Sequence, residues 1–295
     1  MPHRKKIQIA EIEQRLILDA IYYRYHYDFR SYAKPSISRS LQAALVHFGC
    51  STISQLQDRI LHNASDFTEL LNYLTIQVSE MFRDPEYFLA LRNKVVPLLR
   101  TYPYLKIWVA GCSTGEEVYS MAILLHEEDL LERSIIYATD INTQALRIAE
   151  QGIFNIEKAE KYSKNYIKSG GKGSLSQYYT ARYGNIVFNK ILKKNIVFAD
   201  HSLATDSVFA ELQLISCRNV LIYFDSELQE KAINLFNDSL CHRGFLGLGS
   251  RESIRFTEQF NNFEEFAFKE KIYRKKNPIK INNQLSEHRH SILHK

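Results

Sequence analysis

Two adjacent acids, Glu116 and Glu117, stand directly behind a glycine turn, "GCSTG", spanning Gly111 to Gly115. The apolar run "LKIWVA" leads into that turn and "EEVYSMAILLHEE" leads out of it. Strand, glycine turn and helix make the first unit of a doubly wound sheet, and ligands bind there, beyond the carboxyl ends of the strands. The dinucleotide pattern GxGxxG is absent, since Gly111 and Gly115 are the turn's only glycines. Helix N-termini attract anions, but two carboxylates in the first turn answer that attraction internally and would repel a pyrophosphate. A ligand with a positive end suits the turn better. Asp140 closes the next strand-like run, "SIIYATD", about 25 residues after Gly115. An acid at that place can accept hydrogen bonds from the two hydroxyls of a ribose; it could also cap the helix expected over "NTQALRIAEQ". A ribose and a cationic end without phosphate describe S-adenosylmethionine.

Four segments, "WVAGCSTGEEVYSMAI", "ATDIN", "SCRNVLIYF" and "MFRDPEYF", resemble the signatures of the chemotaxis receptor methyltransferase (CheR) family. The resemblance runs over roughly residues 10–275 in the family's order. It implies transfer of a methyl group from S-adenosylmethionine to the γ-carboxylate of receptor glutamates, with S-adenosylhomocysteine as product and no metal. It implies cytoplasmic domains of methyl-accepting receptors or related signalling proteins as partners. By the same resemblance, Glu117 and possible co-ligand Glu116 contact the donor, beside Gly111 and Gly115 of the turn, and Asp140 holds the ribose. Arg218 and Asn219 line the donor pocket, Tyr223 lies near the transferred methyl, and Arg83 lies near both the methyl and the incoming carboxylate.

This chain departs from the family pattern at three places. Gln77 and Ser79, expected donor-site residues, stand where Asn-x-Thr is commoner, so amide and hydroxyl chemistry survive while Gln is one methylene longer. Ser202, where an asparagine is usual, and its neighbour Leu203 are expected in the donor pocket, and "GSRESI" replaces Gly-His-Ser-Glu while keeping Glu252. Plainer readings exist for several residues. Arg83 could pair with Asp84 or Glu86, Arg218 could be a surface charge, and Tyr223 and Phe224 could be core aromatics. Cys112 and Cys217 abut the site, but no histidine near them in sequence offers a base, and they read as small buried residues. "SCRNVLIYF" lacks the proline-aromatic stretch that amide N-methyltransferases carry, and its cation suits an acidic substrate. The other reading is a donor-binding docking module with little or no turnover.

These residues need a scaffold. Apolar spacing of three and four predicts helices in "IEQRLILDAIYYRY", "SISRSLQAALVHFG", "SQLQDRILHN" and "FTELLNYLTIQV". Asp84-Pro85 predicts a helix start, with Asp as N-cap. From Leu105 onward strands alternate with helices: "LKIWVA", "SIIYATD", "LQLISC" and "RGFLGLGS" are the expected strands. That order predicts an α/β fold, a Rossmann-like, mainly parallel sheet behind an N-terminal helical bundle. Residues 153–195 break the alternation and read as an insertion with a small antiparallel sheet. The expected domains are therefore 1–100, a helical domain and linker helix, and 101–276, methyltransferase with the insertion at 153–195, followed by a basic tail at 277–295.

Charge and composition narrow the classes. The formal charge is +5, and from Lys269 to Lys295 there are eight Lys/Arg against two Asp/Glu. The excess sits in a tail that reads as a solvated appendage, which argues against a nucleic-acid-binding face. No apolar run reaches the roughly 18–20 residues that span a bilayer, so no membrane insertion is expected. The four cysteines form no CxxC pair and the histidines no HExxH, so neither zinc nor disulfides are expected. A cytoplasmic monomer is the expectation. In some members of the resembled family the insertion captures a receptor's C-terminal peptide. The short turn at Tyr183-Gly184-Asn185 predicts that this chain does without that tether.

Overall fold

The apolar stripes between residues 9 and 74 fold as helices. They are α1 (Ile9–Tyr25), α2 (Lys34–Phe48), α3 (Ile53–His62) and α4 (Ala64–Leu74). Each boundary has a local cause. Gly49 ends α2 in the left-handed region at φ 64°. Thr52 caps α3 by accepting from Gln55 N, and Asn63 caps α4 by accepting from Ser65 N. Ile17, Ile21, Phe29, Leu41, Leu56, Ile60 and Leu70 close a core of their own. The structure, a computed structural model, describes residues 8–277. The expected tail lies almost wholly outside the described residues.

Helix α5 (Pro85–Ala90) continues through one wide π turn, Leu91–Val95, into α6 (Val96–Leu99). Val96 N donates to Leu91 O, five residues back. Pro97 has no N–H to offer Asn93, and the wide turn absorbs the lost bond. The sequence reading placed a linker helix at the end of residues 1–100. Here the buried residues Tyr87, Phe88, Leu91, Val95 and Leu99 share one core with Leu105, Ile107 and Val109 of the first strand.

The strands are β1 (Leu105–Ala110), β2 (Ser134–Asp140), β3 (Ile153–Asn155), β4 (Tyr179–Arg182), β5 (Asn185–Phe188), β6 (Ile196–Asp200), β7 (Leu212–Cys217), β8 (Leu240–Leu248), β9 (Phe263–Ala267) and β10 (Ile272–Lys275). Seven form one sheet in the order β6-β2-β1-β7-β8-β10-β9. The first five run parallel and β10 is antiparallel to both neighbours. The connecting helices are α7 (Glu116–Glu127), α8 (Thr143–Gln151) and α11 (Ser226–Ser239). The chain winds outward from β1 to β2 and β6, then returns to β7 on the other side of β1. The carboxyl end of β1 is therefore the switch point at which a crevice must open. Strand β6 had no counterpart in the sequence reading.

The insertion carries α9 (Ala159–Lys168), the short α10 (Lys190–Lys193) and a three-stranded antiparallel sheet, β3-β5-β4. Strands β4 and β5 are joined by two residues with positive φ, Tyr183 (47°) and Gly184 (74°), which suits a tight hairpin. A buried carboxylate, Glu127 at the end of α7, fastens the insertion down. It accepts from Arg92, Tyr166, Tyr178 Oη (3.0 Å) and Lys172 N (3.1 Å).

Candidate donor and acceptor site

The turn after β1 is shaped by close approach. Gly111 sits at φ 70°, and a Cβ there would lie 2.4 Å from Val220 Cγ2. Gly115 sits at φ 95°, where a Cβ would lie 2.8 Å from that of Ala149 on α8. Both positions therefore demand glycine. Ser113 is also left-handed, at φ 51°. That conformation turns its N–H onto Asp140 Oδ2 at 2.8 Å and its hydroxyl onto Gln77 Oε1 at 2.6 Å.

Asp140 does not cap α8. Asn142 does, accepting from Gln144 N and Ala145 N. Asp140 takes the Asn142 amide at 2.9 Å on its other oxygen and faces the cavity. Burial pushes its carboxyl above the usual aspartate range, against the lowering pull of the Asn142 and Ser113 amides. Each oxygen still has a lone pair for a hydroxyl donor.

The two acids of α7 part company. Glu117 faces the cavity, accepting from Ser216 Oγ at 2.6 Å and Arg218 Nη1 at 2.9 Å. Glu116 turns away; it accepts from Thr114 Oγ1 at 2.6 Å and Tyr162 Oη at 3.3 Å and is 1% exposed. It does not line the cavity, and the expected second donor acid is instead a packing residue under the insertion.

Arg218 is no surface charge. Its side chain is 1% exposed. Besides Glu117 it bonds Arg83 O at 2.8 Å and Asp84 Oδ2 at 2.7 Å, and its guanidinium lies 4.3 Å from the Tyr87 ring. Burial works against its charge, but Glu117, Tyr87 and Asp84 outweigh that and hold its pKa above the ordinary value. Arg218 thus ties the end of β7 to α7 and to the Arg83-Asp84 segment. Asp84 occupies the N-cap place of α5 without capping it, because its carboxylate goes to Arg218.

Arg83 is left with Val78 O, at 3.3 Å, and no carboxylate partner among the described residues. Tyr223 is half-buried beside it. Burial raises the Tyr223 phenol's pKa, and the nearby Arg83 charge pulls it down.

Gln77, Ser79, Arg83, Gly111, Glu117, Asp140, Leu203, Arg218, Asn219 and Tyr223 line one cavity of about 910 Å³, open mouth included. Gly115 and Ser202 are not among its walls. Gly115 serves helix packing, and Ser202 is turned into a local loop, its N–H on Asp206 Oδ2 at 2.9 Å. Cys112 and Cys217 are buried, and burial raises both thiols well above their usual range, which does not suit a nucleophile. Among the described residues no group of three or more His, Cys, Asp or Glu side chains could hold a metal ion.

Sequence reasoning left out several parts of the site. Glu252, 3% exposed, accepts from the amides of Gly249 (2.6 Å), Val220 (2.8 Å), Asn219 (2.9 Å) and Ile222 (3.3 Å). Its carboxylate therefore shapes the loop that presents Asn219, which sits at φ 61°. The retained acid of "SRES" was the available signal. Thr75, Asn142 and Ser113 form the polar seam that orients Gln77. Tyr32 of the helical domain also lines the cavity, and no local pattern pointed to it.

Two acids, Asp140 and Glu117, thus line one cavity beside the turn at Gly111. Comparison with known proteins gives the class of ligand. The family described as "CheR methyltransferase, SAM binding domain" matches residues 77–269, and "CheR methyltransferase, all-alpha domain" matches 12–75. Cher3 of Pseudomonas putida, a methyltransferase by name, is 58% identical over 90% of this chain and 97% of its own length. A chemotaxis protein methyltransferase of Listeria monocytogenes is 29% identical over 77% of this chain and 84% of its own. One from Borreliella burgdorferi is 31% identical over 64% and 75%. With both of the family's domains in order along it, the chain belongs to the CheR family of S-adenosylmethionine-dependent methyltransferases.

Proposed function

We propose that this protein esterifies the γ-carboxylate of glutamates in the cytoplasmic domains of methyl-accepting receptors or related signalling proteins. It acts as a cytoplasmic monomer, and its product is S-adenosylhomocysteine. The names of its relatives in Listeria and Borreliella support an output in chemotaxis. Among the described residues no helix is long and apolar enough to cross a membrane.

When bound, S-adenosylmethionine supplies an electrophilic methyl on a sulfonium, which leaves as a neutral thioether when a carboxylate oxygen forms the new C–O bond. A glutamate side chain, with a pKa near ~4.3, is already ionised at pH 7, so no general base is needed. What remains is positioning, which at its upper range lowers a barrier by roughly 7–11 kcal/mol. Asp140 accepts from the ribose hydroxyls. Glu117, held by Ser216 and Arg218, offers negative charge to the donor's cationic end. Gln77 and Ser79 line the cavity, and Asn219 is presented by the loop that Glu252 shapes. Arg83 receives the acceptor carboxylate by charge-assisted hydrogen bonds, and Tyr223 orients it. Because the reacting charges cancel, keeping water out favours the reaction.

The observation that carries this reading is Arg83. It lines the cavity with no carboxylate partner among the described residues, while the acid next to it, Asp84, is taken by Arg218. Arg83→Ala is expected to slow methylation at least about tenfold, the loss of a charged hydrogen bond, while donor affinity changes by less than about threefold. Arg83→Lys should rescue poorly, because it lacks the planar two-donor fork. A normal methylation rate in Arg83→Ala would contradict the assignment.

A further inference from the structure

We propose that Tyr32, a residue of the helical domain, is a donor-site residue whose phenol closes the adenosine end of the cavity. The backbone around it is fixed against the loop that follows β7. Ala33 N donates to Tyr223 O at 2.8 Å, Asp225 N donates to Ser31 O at 3.0 Å, and Tyr32 bridges Phe224 between them. These contacts span nearly 200 positions of sequence, and they leave the Tyr32 side chain little freedom.

The Tyr32 ring sits 4.9 Å from that of Phe29 and 5.0 Å from that of Phe224, edge-on in both cases, and among the described residues its hydroxyl meets no hydrogen-bond partner. It lines the same cavity as Asp140, with apolar Ile141, Leu203 and Phe224 alongside. Burial, then the charges of Asp140 and Asp28, raise its pKa, so the phenol keeps its proton and can donate at neutral pH. An apolar, aromatic recess beside an acid matches a base and its ribose, and an unused hydroxyl there has a hydrogen bond to give. The donor would then be bound by both domains, and donor binding would tighten their contact. This assignment rests on the reading of Asp140 as the ribose acid.

The test is calorimetry with two ligands: S-adenosylhomocysteine, and 5′-methylthioadenosine, which keeps the adenosine and lacks the amino-acid end. Tyr32→Ala is expected to weaken both by the same factor, about tenfold or more. Tyr32→Phe, which keeps the ring and should fold normally, is expected to weaken both about threefold to tenfold, the range of one neutral hydrogen bond. Should Tyr32→Ala fail to fold, Tyr32→Phe decides. Unchanged binding of both ligands by the folded variants would overturn the proposal, as would a loss confined to S-adenosylhomocysteine. If Asp140→Ala in the same titration leaves both affinities intact, the reading of the ribose acid falls, and the placement of Tyr32 falls with it.

Discussion

Glu116 and Glu117 are chemically identical neighbours, yet one faces the ligand cavity and the other lies beneath Tyr162. Successive residues on a helix point about 100° apart, so two adjacent acids cannot both face one crevice. The sequence made it plain that an acid follows the glycine turn; which acid depends on how α7 is rolled against the sheet, and that is a tertiary matter. Asp140 was legible because a strand end fixes its direction. Its chemistry gives a pH prediction. In the free protein its raised pKa makes the ionised form a net cost. Its contribution is most favourable below the unfolded pKa of about 3.9 and is lost as pH rises through the folded value. Donor binding runs the other way, because the ribose needs the carboxylate. Donor affinity is expected to fall on acidification through that raised pKa, and Asp140→Asn should weaken binding while flattening the dependence. Titration calorimetry across pH checks both; an unchanged affinity for Asp140→Asn would remove Asp140 from the site.

At the scale of elements, the glycine turn and its helix show how tightly local geometry is set. Gly115→Ala is expected to destabilise the fold by about 1–3 kcal/mol from backbone strain alone, with further loss from the clash against Ala149. Urea denaturation measures it, and a stability equal to wild type would mean that the turn relaxes freely. The helices and central strands could be read in advance because their periodicity was strong. Helices α5 and α6 could be read as helix but not as to domain, since apolar spacing does not say which core receives the stripe. Strand β6, "IVFAD", was missed because it follows a lysine-rich segment that looked like the end of the insertion. Glu252 was noticed as an acid and left out as a ligand, because carboxylates that collect backbone amides have no sequence signature.

At the scale of the molecule, two of the junctions between its parts stand out. One is the backbone pairing of Ser31–Ala33 with Tyr223–Asp225, unreadable from sequence because its partners are so far apart. The other is Glu127, which joins Arg92 in the α5 segment to the two tyrosines of the insertion. Glu127→Ala is expected to cost about 1.5–3 kcal/mol, the range for hydrogen bonds to a charged group, because Arg92 keeps Glu128 at 3.0 Å, and to open the insertion to protease before the sheet unfolds. Limited proteolysis that cuts Glu127→Ala and the wild-type protein at one rate would contradict this. The two-residue turn at Tyr183-Gly184 leaves the edge strand β4 short and mostly exposed. The proposed absence of a tail tether predicts no micromolar binding of receptor C-terminal peptides by calorimetry. Methylation of tail-truncated receptors would then be intact. Micromolar binding lost on altering residues 178–195 would contradict it. Contact with acidic receptor helices would then fall to the helical domain, where Arg24, Lys34 and Arg39 are available and Arg30 is engaged by Asp28, and it should weaken with salt.

The central claim is that the reacting group is a carboxylate. It is tested most directly by incubating the protein and S-adenosylmethionine labelled in its methyl group with receptor-containing membranes from the source cell, then raising the pH. The account predicts label in the receptor band that base releases as methanol, the mark of an ester, and its loss in Arg83→Ala. Label that resists base, or none in the receptor while donor still binds, would contradict it.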